Sequence, residues 1–121
     1  MVPYVLPLAV VAVREYLDQA GHSPFADWSD GLHREAAAKV AVALARIQQG
    51  NFSNAKGVGA GVYEYRIDFG PGYRIYFGKD GDTLVILVGG GTKKRQQNDI
   101  SLALDRWKDY TLRKKQQKKE E

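Results

Sequence analysis

From Tyr63 to Phe69 apolar and charged residues alternate: Tyr63, Tyr65, Ile67 and Phe69 interleave with Glu64, Arg66 and Asp68. That is the period of a strand with one dry face. Gly70-Pro71-Gly72 follows as a short hairpin loop, where glycine can take positive φ and proline fixes its own. Pairing Phe69 with Tyr73, Ile67 with Ile75 and Tyr65 with Phe77 puts every apolar partner on one face. Glu64, Arg66, Asp68, Arg74 and Tyr76 then share the other. Asp80-Gly81 signals a two-residue type I′ turn. It returns the chain through Leu84, Ile86 and Val88 on the dry face, with Val85 and Leu87 opposite. Being apolar on both sides, this third strand is expected to be covered on both.

Upstream, Val10 to Tyr16 predicts a first strand, with Val11 and Val13 on one side and Arg14 on the other. Asp18 to His22 reads as a turn. Ser23-Pro24 opens a short helix, serine capping free N–H groups and proline suiting the first helical position. Phe25, Trp28 and Leu32 continue at helical spacing, and Gly31 separates this helix from a second that runs to about Gln49. Leu32, Ala36, Val40, Leu44 and Ile47 form the stripe of the second helix, and Gly50 is a natural residue just past its end. Asn51 to Gly61 is expected to be a loop. Its glycines lack the spacing and flanks of a nucleotide-binding motif, which leaves a flexible connector carrying Lys56. After Gly89-Gly90-Gly91 and Lys93-Lys94-Arg95, the residues Ile100, Ala103, Leu104 and Trp107 predict a last helix from about Gln97 to Lys115. The order is β-α-α-β-β-β-α, a small α+β domain.

A chain of 121 residues fits one domain. Residues 10 to 110 form its expected core, 1 to 9 an extension and 113 to 121 a basic tail. The absence of cysteine excludes disulfides and thiolate metal sites and agrees with a reducing cytoplasm. His22 and His33 are far apart in sequence and suggest no metal site, and no cofactor is expected. Of the net charge of +4, residues 113–121 carry +3, from five bases and two acids, so the body carries +1. Nucleic-acid binding by the body must therefore rest on a local patch. The apolar run Val2 to Val13 is interrupted by Pro3 and Pro7 and is too short to span a bilayer. The lysine tail admits three readings: a solvated helix end, electrostatic binding to nucleic acid, and, with no apolar face beside it, membrane association as the weakest.

The run from Gly50 to Ile100, with the G-P-G-Y-R-I-Y-F hairpin set between the G-N-F loop and the K-K segment, resembles the toxins of the RelE/ParE superfamily. Within it, the run is most similar to the HigB-like addiction module killer proteins, as is S-P-F-A-D-W-S-D-G-L. The resemblance covers about residues 10 to 110. It implies a RelE-like fold, a small antiparallel-rich sheet packed by an N-terminal helical hairpin. It also implies a type II toxin–antitoxin pair, whose cognate helix-turn-helix antitoxin blocks the toxin and carries the complex to operator DNA. RelE-like members are cytoplasmic and cleave mRNA, usually on the ribosome and without a metal. ParE-like members inhibit DNA gyrase instead.

Cleavage by the ribose 2′-OH needs a base, cations for charge building on the phosphate, and an acid for the leaving oxygen. Arg74 and Arg66 share one face of the expected hairpin and match basic positions of the RelE-type site. Lys93 and Lys94 follow the last strand where the family places further cations. These four are the candidate catalytic residues. Lys56, Tyr76 and Arg95 are candidate RNA contacts. Two departures stand out: Glu64 occupies a position often lysine in RelE-like nucleases, and Gln96-Gln97-Asn98-Asp99 offers no aromatic or histidine acid. Tyr76 could serve for stacking or as acid, and Glu64 as base. Asp68 opposite Arg74 and Glu64 near Arg66 could instead be ordinary cross-strand ion pairs, worth roughly 0.2–1 kcal/mol. Besides the ribonuclease, a gyrase inhibitor and an inactive antitoxin-binding co-repressor stay open.

Overall fold

The computed structural model describes residues 10 to 120. The expected extension at residues 1–9 lies outside them. Strand β1 (Ala12–Glu15) leads to helices α1 (Pro24–Asp30) and α2 (Arg34–Gln48). Strands β2 (Ala55–Gly59), β3 (Val62–Ile67), β4 (Tyr73–Lys79) and β5 (Leu84–Thr92) follow, then a 3₁₀ turn (Lys93–Arg95) and helix α3 (Gln96–Glu120). The five strands form one mixed sheet in the order β1-β5-β4-β3-β2. β1 lies parallel to β5, and the other neighbours are antiparallel.

The helical hairpin forms where the local signals place it. Ser23 Oγ accepts from the Ala26 N–H at 3.0 Å, and Pro24 takes the first position of α1. Gly31 ends α1, and Gly50, at φ +78, follows α2. Ala36, Val40, Ala43 and Ile47 of α2 pack with Phe25 against Tyr65, Ile67, Tyr73, Ile75 and Phe77. The other face of the sheet buries Val62, Tyr76, Ile86 and Val88 under Ala103 and Trp107 of α3. β5 is thus covered on both sides, as its composition predicts.

Four expectations are corrected. Residues 55–59 are an edge strand paired with β3, not a loop. Only Ala55 and Val58 are partly buried there, so backbone pairing rather than an apolar pattern holds the strand. The β3–β4 register is shifted by two residues: Ile67 faces Tyr73, Tyr65 faces Ile75, and Arg66 faces Arg74. An even slip keeps every side chain on its face, so alternation cannot detect it. Asp68 to Gly72 form the wider loop, with Gly70 and Gly72 at φ +55 and +82.

The Asp80-Gly81 turn is not two-residue, because Lys79 pairs with Val85. Phe77 consequently faces Leu87 rather than Leu84, an odd shift that exchanges the faces of β5. Val85 and Leu87 lie with the helical hairpin, while Leu84, Ile86 and Val88 lie under α3. A bulge at Val88 then carries β5 on through its three glycines to Thr92. Finally, α3 continues helical to Glu120 through the lysine-rich segment.

The glycines of β4 and β5 are seats for side chains. A Cβ on Gly90 would fall within 3.0 Å of the Trp28 ring, and one on Gly78 within 3.0 Å of Trp107. Gly89 and Gly91 similarly leave room for Arg106 and Asp99. Bare backbone at these points lets α1 and α3 approach the sheet closely.

Candidate functional site

Glu64, in the middle of β3, is 0% exposed, and its neighbours define the site. Lys56 of β2 and Tyr76 of β4 are its direct cross-strand partners. Tyr76 Oη donates to Glu64 Oε2 at 3.2 Å, and Gln96 Nε2, from the start of α3, donates to the same oxygen at 2.9 Å. Arg74 Nε lies 3.4 Å from Glu64 Oε1, with Lys56 Nζ 3.9 Å from that oxygen. Neither Oε1 nor the Arg74 Nε makes a hydrogen bond of acceptable geometry, so their attraction is one of charge. A buried carboxylate requires such compensation.

Arg74 is only 5% exposed. Its Nη1 donates to the Gly72 carbonyl at 2.9 Å, and the Lys93 N–H donates to the same carbonyl at 3.0 Å. Arg74 therefore joins the β3–β4 loop, the end of β5 and Glu64. Of the cross-strand ion pairs that the sequence leaves open, Arg74 makes one, with Glu64 rather than with Asp68. Arg66, facing Arg74 across the ladder, is exposed. Lys93, Lys94 and Arg95 are exposed on the 3₁₀ turn. With Gln96, Gln97 and Asn98 they line an open cavity of about 420 Å³.

The candidates thus divide. Arg66, Lys93, Lys94, Arg95 and Lys56 offer exposed charge around one end of the sheet, while Arg74 and Tyr76 lie beneath them. At 0% exposure Tyr76 has no free face for a base, which corrects its assignment as a stacking surface. Burial, then the charge of Glu64, pushes its phenol well above the usual tyrosine range, so it holds its proton. Glu64 has no open path to a ribose hydroxyl. His33 caps α2, its Nδ1 accepting from the Ala36 N–H at 3.4 Å, and its Nε2 lies 3.3 Å from Tyr73 Oη, a structural placement.

In sequence, Gln96 and Asp99 stand out only as part of a segment without an aromatic or histidine acid. Asp99 sits over Gly91, the ladder partner of Arg74. Burial raises its pKa, against the pull of Arg95 and Arg106. The one sequence signal for this cluster is a glutamate at mid-strand between two tyrosines. Among the described residues no group of three or more His, Asp or Glu is placed to hold a metal, and no helix is long and apolar enough to cross a membrane.

The chain is a small α+β domain whose buried Glu64 is matched by buried Arg74 and exposed Lys56. Residues 27–108 match the family model of the phage-derived Gp49-like proteins (DUF891), and the chain belongs to that family. It is a toxin-like, addiction-module family related to RelE and HigB, and membership implies an antitoxin partner. A Haemophilus influenzae protein described as an uncharacterized protein is 42% identical over 80 residues, covering 65% of this chain and 81% of the relative.

Proposed function

We propose that this chain is the toxin of a toxin–antitoxin pair and acts as a metal-independent endoribonuclease on mRNA at the ribosome, on a RelE-like sheet. The observation that supports the reading is that exposed Arg66, the ladder partner of Arg74, and the exposed Lys93-Lys94-Arg95 turn after β5 lie toward the same end of the β3–β4–β5 ladder. In the reaction, a ribose 2′-oxygen bonds to the adjacent phosphorus and gives up its proton. The bond from phosphorus to the 5′-oxygen breaks, and that oxygen takes a proton. The products are a 2′,3′-cyclic phosphate and a 5′-hydroxyl. Arg66, Lys93 and Lys94 supply the charge that stabilises the crowded phosphate. Lys56 and Arg95 hold neighbouring phosphates. Arg74, sealed against Glu64, fixes the loop that presents Lys93 rather than gripping the phosphate itself. The antitoxin, a helix-turn-helix protein, covers this face and takes the complex to operator DNA; the cytoplasm is the expected compartment.

The sealing of Arg74 favours a second reading, a non-enzymatic toxin of the gyrase-inhibiting kind or an inactive co-repressor, since only one guanidinium of the expected two is free. Induced expression without antitoxin, followed by primer extension on a reporter mRNA, separates the readings. The nuclease yields new codon-phased 5′ ends that disappear in Arg66→Ala and in Lys93→Ala/Lys94→Ala. Growth arrest with DNA damage and intact mRNA would replace it by the gyrase reading, and unimpaired growth by the co-repressor.

A further inference from the structure

Two grooves meet at the end of β3. One, about 390 Å³, is lined by Ser53, Asn54, Ala55, Lys56, Arg66 and Asp68. The other, about 250 Å³, lies between α2 and β3 and includes Lys39, Arg46 and Phe69. Asn54, Arg66 and Asp68 line both, so the two grooves adjoin as one stretch of surface. It carries four cations, Lys39, Arg46, Arg66 and Lys56, against one acid, Asp68. Lys39, Arg46 and Arg66 are exposed, and none of the ion pairs among the described residues engages them. The Lys39 ammonium stands 5.3 Å from the centre of the Phe69 ring, which is partly open.

We infer that this surface is a binding track for the phosphate backbone of single-stranded RNA, leading from Arg66 across to Lys39 and Arg46 on α2. The inference rests on the ribonuclease reading for its substrate, but places RNA contacts on a helix which that reading does not use. Lys39, Arg46 and Arg66, exposed and outside the ion pairs, supply what a single strand requires first: charge for successive phosphates. An amphipathic peptide helix would need a run of exposed apolar anchors; the groove at Lys56 offers Ala55, and of Val42, Ala43, Tyr65, Ile67 and Phe69 in the other only Val42 is exposed. Arg66 belongs to both the track and the reaction end, so a strand held along α2 enters the cleavage site at a set register.

The test is binding of the full-length protein to a labelled twelve-residue oligouridine, titrated at several salt concentrations. Lys39→Glu/Arg46→Glu is compared with wild type after circular dichroism shows both folded. The double variant is expected to bind about tenfold more weakly, and its log K against log salt slope to be shallower by about 1.4, for two lost phosphate contacts on a single strand. Lys39→Gln/Arg46→Gln, which adds no acid, is expected to move in the same direction by less. Equal affinity and slope in wild type and variants would overturn the track, as would a wild type that fails to bind the oligomer at low salt. A charge-reversal variant that loses a twelve-residue polyglutamate but keeps the RNA would overturn it in favour of an acidic peptide. A wild type that binds RNA through Lys39 and Arg46 but leaves reporter mRNA intact supports the track while removing the ribonuclease reading.

Discussion

Removing Arg74 should damage the fold before it damages any reaction. Arg74→Met keeps the aliphatic stem and deletes the charge. It leaves Glu64, which is 0% exposed, with Lys56 at 3.9 Å as its remaining cation, on a side chain that is 60% exposed. Breaking a buried pair from one side costs about 3–5 kcal/mol. At about 2.1 cal/mol/K per residue, unfolding 121 residues carries an entropy of about 0.25 kcal/mol/K, so each kcal/mol lowers Tm by about 4 °C. The Tm of Arg74→Met should therefore fall by about 12–20 °C. Glu64→Gln/Arg74→Met removes the stranded charge yet keeps an oxygen for Tyr76 and Gln96, and should recover most of the loss. Thermal unfolding followed by circular dichroism, with denaturant melts as a second probe, measures both variants and their coupling. A Tm for Arg74→Met within about 4 °C of wild type, or a double variant as unstable as the single, would refute the buried-pair argument.

Other regions give sharper contrasts. Gly90→Ala should cost about 1–3 kcal/mol in urea melts by forcing Trp28 off the sheet, whereas Gly89→Ala meets the guanidinium end of Arg106, displaces its hydrogen bond to the Val88 carbonyl and should cost less. The hydrogen bond from Lys114, then that from Tyr110, holds the Asp80 carboxyl below the usual range. Its stabilisation is present above the ordinary carboxylate pKa and lost as pH falls through the lowered folded value, so Asp80→Asn should flatten the acid limb of the stability profile. Tyr110 is pushed up to about 12 by burial and then by Asp80. Its contribution is full below the ordinary phenol pKa of about 10 and lost as pH rises through the folded value, so Tyr110→Phe should weaken the loss of stability in base.

The sequence is most informative where one face or one cap decides the outcome. Ser23-Pro24, Gly31 and Gly50 fix the helical hairpin through local chemistry, and its stripe is buried as its spacing predicts. Register is not legible, because a slip of two in the β3–β4 ladder leaves every face unchanged and only the loop geometry at Gly70 and Gly72 selects it. β2 is invisible because an edge strand of Ala, Lys, Gly, Val and Gly gains its place from partner backbone rather than from its own side chains. At the site, the grouping of cations can be read from β3, β4 and the Lys93 segment. The burial of Arg74 cannot, since it depends on α3 closing over a face whose Glu, Arg and Asp pattern reads as wet.

That closure also explains why a glutamate can stand among residues proposed to meet phosphate. An exposed Glu64 would repel the RNA backbone and cancel one neighbouring cation. Sunk beneath α3, it is matched by Arg74 and by the exposed Lys56, and the rim of Arg66, Lys93, Lys94 and Arg95 remains cationic. The same pair holds the Gly72 carbonyl that anchors both Arg74 and the Lys93 backbone, so the charge balance and the shape of the rim depend on one contact. Loss of toxicity in an Arg74 variant therefore reports stability and chemistry together. Only the exposed cations, Arg66 and Lys93 first, can be removed without unbalancing the interior, so toxicity and mRNA cleavage in their variants separate the chemistry from the fold.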